Sequence, residues 1–232
     1  MTRLIVLLRG RALFMGALTL ALLFTVLTAL VLREDLQPTG WDIGITHEIQ
    51  EFPQVPVGEV LVWVSGPGFF PWNYIMPGMV VLFMLAMRWF VQGVFTTLAS
   101  AGGLLAELVK HLVDRPRPTP EFATIYRELY TASFPSGHVT GYTVLYGFVF
   151  YLAYTHLPRK SPVRWVVMGI CALLVLLVGL SRVYMGQHWA SDVLAGYALG
   201  FSYLLLVIAA HQAYLARGKS VDGGAETVDG GQ

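Results

Sequence analysis

A histidine and an aspartate stand four residues apart in Ser181–Asp192, a polar segment between two long apolar stretches. If the second stretch is a helix that begins near His188, both side chains lie on one face, and Asp192 can accept a proton from one ring nitrogen. The other ring nitrogen then keeps a lone pair, which is the arrangement of an oriented nucleophile or base. Because charged groups next to apolar segments cost free energy, the pair predicts a functional site.

Three cations in the chain suit a phosphoryl group. Lys110 offers a point charge, and Arg117 and Arg182 each offer a planar guanidinium. Together they could surround the oxygens of a phosphate during transfer. Taken singly, a lysine or arginine at a helix end could merely extend to the lipid head groups, so the prediction depends on all three lying together.

The tetrapeptide Pro135–His138 leads into an apolar stretch that is predicted to be a helix. Free backbone N–H groups and the helix dipole favour an anion at such a position, and Gly137 lets the backbone approach it closely. We expect His138 to stand near the leaving oxygen as an acid while His188 attacks the phosphorus.

Composition indicates a membrane protein. Of 232 residues, 56% are hydrophobic and only 12% are charged, and the mean hydropathy is +0.62. The net charge of +1 and the scattered basic residues give no basic stripe, so no nucleic-acid partner is expected. The single cysteine, Cys171, lies inside an apolar run and is expected to be a small buried side chain without a thiol function.

The predicted fold class is all-α, a polytopic membrane protein with six transmembrane helices and short interfacial helices on the outer side. A cleavable signal peptide is the alternative for the first helix, although its apolar core is long for one. Short interfacial helices are predicted near residues 45–52 and 57–65. Residues 1–216 are predicted to form a single domain and 217–232 a disordered tail. The predicted spans are Ala12–Leu32, Trp72–Met87, Trp89–Val109, His138–Leu157, Trp165–Leu180 and Val193–Ala216.

The distribution of lysine and arginine predicts the orientation. With six spans, nine such residues fall on one side and six on the other, and the side richer in them is expected to be cytoplasmic. Both termini are then cytoplasmic, and the loops after the third and fifth spans face outward. The segments 110–117, 135–138 and 182–192 therefore meet at one outer rim.

Three sequence blocks resemble the signature of the type 2 phosphatidic acid phosphatase superfamily, which also includes bacterial acid phosphatases, glucose-6-phosphatase and vanadium haloperoxidases. The resemblance covers roughly residues 40–215, and all three blocks fit in residue type, spacing and order. The blocks are Lys110-x6-Arg117-Pro118, Pro135-Ser136-Gly137-His138 and Ser181-Arg182-x5-His188-x3-Asp192.

The resemblance implies a role for each matched residue. His188 is similar to the nucleophile that forms a phosphohistidine, Asp192 to the residue that fixes its tautomer, and His138 to the general acid. The groups that would hold the phosphate are Lys110, Arg117, Arg182, the Ser136 hydroxyl and the Gly137 N–H. The resemblance implies no metal and no cofactor; a zinc site built from His138, His188 and Asp192 is the alternative, although the three cations nearby would repel the ion.

A site at the outer rim of a helix bundle suits a phosphate that is attached to a lipid. The resemblance implies a lipid phosphatase in a bacterial-type inner (plasma) membrane, with its site facing the periplasm or cell exterior. Its substrates would be phosphatidic acid, phosphatidylglycerophosphate or undecaprenyl diphosphate. A lipid phosphotransferase, a non-catalytic lipid-phosphate binder or transporter, and a haloperoxidase are the alternatives. The oligomeric state stays open, and no role is assigned to Arg115 and His111. Glu107 is interpreted as a structural partner of Arg115 or Lys110.

Overall fold

The computed structural model describes residues 2–225, and this part of the chain is helical with no strand. The predicted all-α class is therefore confirmed for it. The helices are α1 (Thr2–Arg33), α2 (Gly40–Gln50), α3 (Glu59–Ser65), α4 (Trp72–Ala86), α5 (Phe90–Ser100), α6 (Gly102–Val113), α7 (Gly137–His156), α8 (Pro162–Tyr184) and α9 (Ala190–Ala225). A π-helical turn (Gln54–Gly58) precedes α3 and a 3-10 turn (Gly66–Gly68) follows it.

Three helices are long and apolar enough to cross a membrane: Gly10–Arg33, Pro162–Tyr184 and Ala190–Gly218. Large hydrophobic side chains on them are exposed, as expected for surfaces that face lipid. A fourth candidate is the bent pair Gln54–Gly68 and Trp72–Ala86, whose axes differ by 68°. The described residues thus give three or four candidate spans by length and composition, and the number six stays a prediction.

The predicted third span is interrupted. Residues 89–109 form two helices, α5 and α6, that are separated at Ala101. Two features favour the break: Gly102 and Gly103 follow it, and the Ser100 hydroxyl donates a hydrogen bond to the Thr96 carbonyl within the last turn of α5. Residues 72–86 form only 15 helical residues, about 22 Å, which is short for the ~30 Å core of a bilayer.

Helix α7 lies at the centre of the bundle, where it packs against both α8 and α9, while α1 packs along α9. Glycines on α9 permit the close contact with α7: a Cβ at Gly196 would lie 2.9 Å from the Ser136 carbonyl oxygen, and one at Gly200 would lie 2.8 Å from Thr143 Cβ. The two glycines are four residues apart, so they form one small-residue face on α9. It brings the start of α7 against the start of α9.

Helices α2 and α3 confirm the two short helices predicted between the first two spans. Thr39 and Asp42 form a capping box at the start of α2, because the Thr39 hydroxyl accepts from the Asp42 N–H and the Asp42 carboxylate accepts from the Thr39 N–H. Side chains at the other end of α2 hold the loop 114–136: His47 Nε2 lies 3.0 Å from the Phe122 carbonyl oxygen, and Gln50 binds Thr124. His47 thus makes a structural contact with this loop.

Helix α9 continues to Ala225, beyond residue 217 where the disordered tail is predicted to begin. The remainder of that tail, 226–232, lies outside the described residues.

Candidate active site

The three predicted clusters meet at one end of α7. Lys110 stands in the last turn of α6, Arg182 in the last turn of α8, and Asp192 in the first turn of α9. His188 lies between α8 and α9 and interacts electrostatically with Arg117, Arg182 and Lys110. His138, in the first turn of α7, interacts with the same three cations and with His188.

The contact between Arg117 and His188 fixes the tautomer of the imidazole. Arg117 Nη1 lies 3.2 Å from His188 Nε2. A guanidinium has only donors, so Nε2 must accept and the ring proton resides on Nδ1. The remaining N–H groups of Arg117 bind carbonyl and hydroxyl oxygens of Thr131, Ala132 and Gln187. Arg117 thus joins the two ends of the loop and points at the lone pair of Nε2.

Asp192 faces the opposite edge of the same ring. Its Oδ2 lies 3.6 Å from His188 Nδ1, an ion-pair distance just beyond hydrogen-bond range. Oδ2 also accepts from the Trp189 N–H at 2.9 Å, and Oδ1 accepts from Arg115 at 2.6 Å. The sequence predicted the pairing of His188 with Asp192, and the structure adds that the carboxylate is shared with two further donors.

Burial and positive charge keep His188 neutral. Burial lowers the pKa of its imidazole well below the ordinary value of 6.5, and Arg117, Arg182 and Lys110 lower it further. Burial also lowers the pKa of Arg117, to about 10, so Arg117 is still a cation at neutral pH. A neutral imidazole with an unprotonated Nε2 therefore lies among cations, as a nucleophile for an anionic phosphate requires.

Arg182 is fully buried, and α3 fixes its orientation. Its Nη1 donates to Ser65 Oγ at 3.1 Å, while Nε and Nη2 have no partner among the described residues. Ser65 contacts Ser181 Oγ at 2.6 Å, and Ser181 in turn donates to the Leu61 carbonyl. The short interfacial helix α3 thereby aims two free N–H edges of Arg182 into the site.

The start of α7 presents the predicted backbone cradle. Ser136 is its N-cap residue, yet its hydroxyl caps no N–H; the hydroxyl is buried and has no hydrogen-bond partner in residues 2–225. Lys110 lies against Gly137, since a Cβ there would be 3.3 Å from Lys110 Nζ. Glu107 holds the same ammonium at 3.0 Å, which confirms it as a partner of Lys110. His111 is exposed on α6.

His138 is held by an aromatic ring. Phe69 packs edge-on against the imidazole with a centroid distance of 4.7 Å, and the guanidinium of Arg182 lies 5.1 Å from the centre of the same phenyl ring. The Nε2 atom of His138 is buried and makes no hydrogen bond to any described residue. Sequence reasoning did not identify Phe69, because an aromatic residue beside a Gly-Pro-Gly turn carries no chemical signal of its own.

Several donors in this small volume are therefore buried without partners. Leaving a buried donor unsatisfied costs ~1–3 kcal/mol, so their concentration at one point indicates a polar ligand. The surrounding cations specify an anion with several oxygens, as in a phosphate. The atoms are Ser136 Oγ, His138 Nε2, Arg182 Nε and Arg182 Nη2; His188 Nδ1 also makes no hydrogen bond within the described residues, but it faces Asp192.

A zinc site does not fit these positions. Within residues 2–225, no three histidine, cysteine, aspartate or glutamate side chains are grouped to hold a metal ion. Asp192, one of the three candidate ligands, is already engaged by the Arg115 guanidinium.

A cavity of about 400 Å³ lies beside the site between α4, α6 and α7. Lys110, Gly137 and His138 lie at its polar end, and Leu104, Leu145 and other apolar side chains form its walls. Leu104 is 71% exposed on the outer surface of α6, so one wall of the cavity reaches the apolar surface of the bundle. A ligand with a charged head and an apolar body fits this shape.

Arg115, to which the sequence assigned no role, lies at the back of the site. Its side chain is buried and forms ion pairs with Asp42 at 2.9 Å and with Asp192 at 2.6 Å. The signal available in the sequence was weak, because a second arginine two positions before Arg117 fits a head-group contact equally well. The pairing depends on how the loop after α6 folds back onto α2.

Several known bacterial proteins are similar to this chain in sequence. Phosphatidylglycerophosphatase B of Bacillus subtilis is 38% identical over 104 residues, 45% of this chain and 50% of that protein. The lipid A 1-phosphatases of Rhizobium etli and Rhizobium johnstonii are each 33% identical over 53% of this chain and over 52% and 48% of their own lengths. The aligned regions thus span about half the length of these relatives.

A crystal structure also matches the fold. The transmembrane PAP2 type phosphatidylglycerolphosphate phosphatase from Bacillus subtilis superimposes with a TM-score of 0.69 over 94% of this chain and 99% of that chain, at 24% identity. The profile of the PAP2 superfamily matches residues 78–215, which include all three sequence blocks. The chain is a membrane protein that belongs to the PAP2 superfamily.

Proposed function

We propose that the chain is a lipid phosphatase that hydrolyses a phosphate ester or diphosphate of a membrane lipid through a phosphohistidine on His188. The main support is the set of buried donors without partners, Ser136 Oγ, His138 Nε2 and Arg182 Nε and Nη2, beside a histidine whose Nε2 carries a lone pair. The set offers stabilisation for phosphate oxygens, a nucleophile and an acid in one place.

In the first half-reaction, Nε2 of His188 attacks phosphorus. The Arg117 N–H that faces Nε2 turns to a phosphate oxygen, which frees the lone pair. The bond between phosphorus and the lipid oxygen breaks, and His138, which is protonated in the substrate complex because the charge of the bound phosphate offsets the neighbouring cations, donates its Nε2 proton to that oxygen and becomes neutral. The cationic phosphohistidine keeps its proton on Nδ1, where the negative charge of Asp192 stabilises it.

In the second half-reaction, a water molecule takes the place of the departed alcohol. His138, now neutral, accepts a proton from this water as its oxygen attacks phosphorus. The P–N bond to His188 breaks and inorganic phosphate leaves. In both steps the equatorial oxygens are bound, and their developing charge is stabilised, by five groups: Lys110, Arg117, Arg182, the Ser136 hydroxyl and the Gly137 N–H.

The substrate is a lipid because the cavity that begins at Lys110 and His138 continues between apolar walls. Phosphatidic acid, phosphatidylglycerophosphate and undecaprenyl diphosphate fit this description. The activities for which the similar proteins are named favour phosphatidylglycerophosphate and add the 1-phosphate of lipid A. We further propose six spans, cytoplasmic termini and a site that faces outward, from the distribution of lysine and arginine.

The deciding experiment measures inorganic phosphate released from each of these lipids by the purified protein, in detergent with a chelator present. His188→Ala is expected to release none and to remain folded by size-exclusion chromatography. Rapid quenching of the wild-type enzyme should trap a phosphoenzyme that is labile in acid and stable in base. Full activity of His188→Ala would refute the nucleophile.

The same assay separates the alternatives. A phosphotransferase would form the phosphoenzyme but release phosphate only in the absence of an acceptor lipid. A lipid-phosphate binder would retain the lipid and form no phosphoenzyme. Vanadate, which resembles the transfer state, should inhibit the phosphatase.

A further inference from the structure

The buried side chain of Arg115 makes five hydrogen bonds. Its Nη1 binds Asp192 Oδ1 at 2.6 Å and Ser191 Oγ at 2.7 Å, and its Nη2 binds Asp42 Oδ2 at 2.9 Å. Carbonyl oxygens of Leu36 and Gln37, each at 3.2 Å, complete the set. The guanidinium thus connects the segment after α1 to the first turn of α9.

Asp42 is the second member of this buried group. Its Oδ1 accepts from both the backbone N–H and the hydroxyl of Ser191, at 2.9 and 2.7 Å. Its Oδ2 accepts from Arg115 and from Thr39. The side chain is fully buried, so every acceptor site of the carboxylate is directed at protein groups. One aspartate on α2 therefore fixes both Arg115 and the residue next to Asp192.

The charges of the group favour a cation at His188. Two carboxylates and one guanidinium give a net charge of −1, with Asp42 and Asp192 on opposite sides of Arg115. The groups that act on the imidazole from the other elements include three cations and a histidine: Arg117 from the loop, Lys110 from α6, His138 from α7 and Arg182 from α8. Glu107, which pairs with Lys110, offsets part of the charge of that ammonium. Phosphorylation of Nε2 places a positive charge on the ring. The buried carboxylates provide the opposing charge.

Arg115 also determines which way the Asp192 carboxylate points. With Oδ1 held by Arg115 and Oδ2 held by the Trp189 N–H, rotation about the Cβ–Cγ bond is blocked, and Oδ2 remains 3.6 Å from His188 Nδ1. A freely rotating or protonated carboxyl group would not favour the tautomer with its proton on Nδ1.

We infer that Arg115 and Asp42 are positioning residues for catalysis, which orient Asp192 and keep it ionised so that His188 presents Nε2 to the phosphorus. The inference rests on the proposed function, because it assigns them a role only through His188. Neither residue touches the substrate, so the group acts on the rate of phosphorylation and not on binding.

Asp42→Asn is the primary test, since it removes the charge and keeps the shape. With phosphatidic acid as substrate and the full chain in detergent, kcat is expected to fall ~10- to 100-fold, as for other partners that orient a functional histidine, while KM changes less than about twofold. Loss of a nearby anion disfavours protonated His188, so the acid limb of the kcat/KM profile should move to lower pH. Rapid-quench phosphorylation should slow by the same factor as kcat.

Two control variants separate the effect of the Asp42 charge from the effect of its hydrogen bonds. Glu48→Gln removes an exposed carboxylate from the same helix and should leave kcat and the acid limb unchanged. Ser191→Ala removes the hydroxyl that donates to Asp42 and accepts from Arg115, while the backbone N–H still donates to Asp42 and no charge changes. This variant should lower kcat less than Asp42→Asn does, with no movement of the acid limb. A purely structural role predicts equal losses in Asp42→Asn and Ser191→Ala.

Arg115→Lys provides an independent readout if Asp42→Asn does not fold. Lysine keeps the charge but cannot contact both carboxylates in the planar geometry, so kcat should fall about tenfold at unchanged KM, and Arg115→Met should fall further. Wild-type kcat in Arg115→Lys, or an unshifted acid limb in folded Asp42→Asn, would overturn the inference. Activity in His188→Ala would instead overturn the proposed function.

Discussion

Arg117 Nη1 lies 3.2 Å from His188 Nε2, so the guanidinium that is proposed to bind the phosphate occupies the direction from which phosphorus would approach in the proposed reaction. When substrate binds, the Arg117 N–H exchanges one acceptor, the neutral imidazole, for another, an anionic phosphate oxygen. The anionic oxygen is the stronger acceptor. The exchange uncovers the nucleophile only when an anion is present. This geometry, the packing of the helices and the proposed orientation can each be tested by experiment.

Removal of the Arg117 charge should shift the pH dependence. The cation contributes to a pKa of His188 well below 6.5, and the neutral ring is the reactive form. In Arg117→Gln this pKa rises, so the acid limb of kcat/KM should move to higher pH, and kcat should fall ~10²–10³-fold with the loss of an oxyanion donor. Pre-steady-state and steady-state assays with one substrate, from acid to neutral pH, measure both. Arg33→Gln removes an exposed cation at the end of α1 and should leave the acid limb of the kcat/KM profile unchanged. An unchanged acid limb in Arg117→Gln would contradict a contribution of Arg117 to the low pKa of His188.

Substitution of His138 should affect poor leaving groups most. The Nε2 proton of this residue is proposed to go to the lipid oxygen, so His138→Asn should slow hydrolysis of an alkyl phosphate ~10²–10⁴-fold. p-Nitrophenyl phosphate, whose leaving group needs little protonation, should lose far less. Burst kinetics with the two substrates compare the phosphorylation steps directly. Equal losses would assign His138 to phosphate binding instead of acid catalysis.

A methyl group should be tolerated poorly at Gly200 on α9 and well at Gly169 on α8. A Cβ at Gly200 would lie 2.8 Å from Thr143 Cβ, whereas a Cβ at Gly169 has no atom within 4 Å. Gly200→Ala should therefore destabilise the protein by ~1–3 kcal/mol, and Gly169→Ala should be neutral or stabilise it by up to ~1 kcal/mol. Thermal unfolding in the same detergent compares them. Equal melting temperatures would mean that α7 and α9 are not in this contact.

Labelling of single cysteines tests the orientation. Tyr130 is 93% exposed in the loop 114–136, which is proposed to face outward, and Arg88 is exposed at the turn between α4 and α5, which is proposed to be cytoplasmic. In a Cys171→Ser background, Tyr130→Cys should react with a membrane-impermeant maleimide in intact spheroplasts. Arg88→Cys should react only after permeabilisation. The reverse pattern would place the site on the cytoplasmic side.

Much of the site could be predicted from residue type and spacing. Seven residues carry groups that suit phosphate chemistry: Lys110, Arg117, Ser136, His138, Arg182, His188 and Asp192. The pattern of apolar stretches brings their segments to one end of the bundle. These are local signals: a residue type beside a helix end. The interpretation of Glu107 as the partner of Lys110 succeeded for the same reason, because the two are three residues apart on one helix.

The remaining features depend on contacts between distant segments. Arg115 and Asp42 are 73 residues apart, and neither residue type nor hydropathy signals their ion pair. The close approach of Gly102 to α7 is another such contact, because a Cβ at Gly102 would lie 2.9 Å from Val144. An apolar stretch of sufficient length predicts a continuous span, and the adjacent glycines that favour the break at Ala101 do not by themselves reveal which helix packs there.

The bond between Asp42 and the start of α9 has a consequence for biosynthesis. Asp42 and Ser191 are separated by 149 residues, and the contact cannot form until the ribosome has delivered the last helix to the bilayer. A nascent chain that ends before α9 lacks Asp192 and Ser191, and therefore lacks both the carboxylate beside His188 and the residue that ties Asp42 to it. Under the proposed mechanism, the site is completed only when the last helix has joined the bundle.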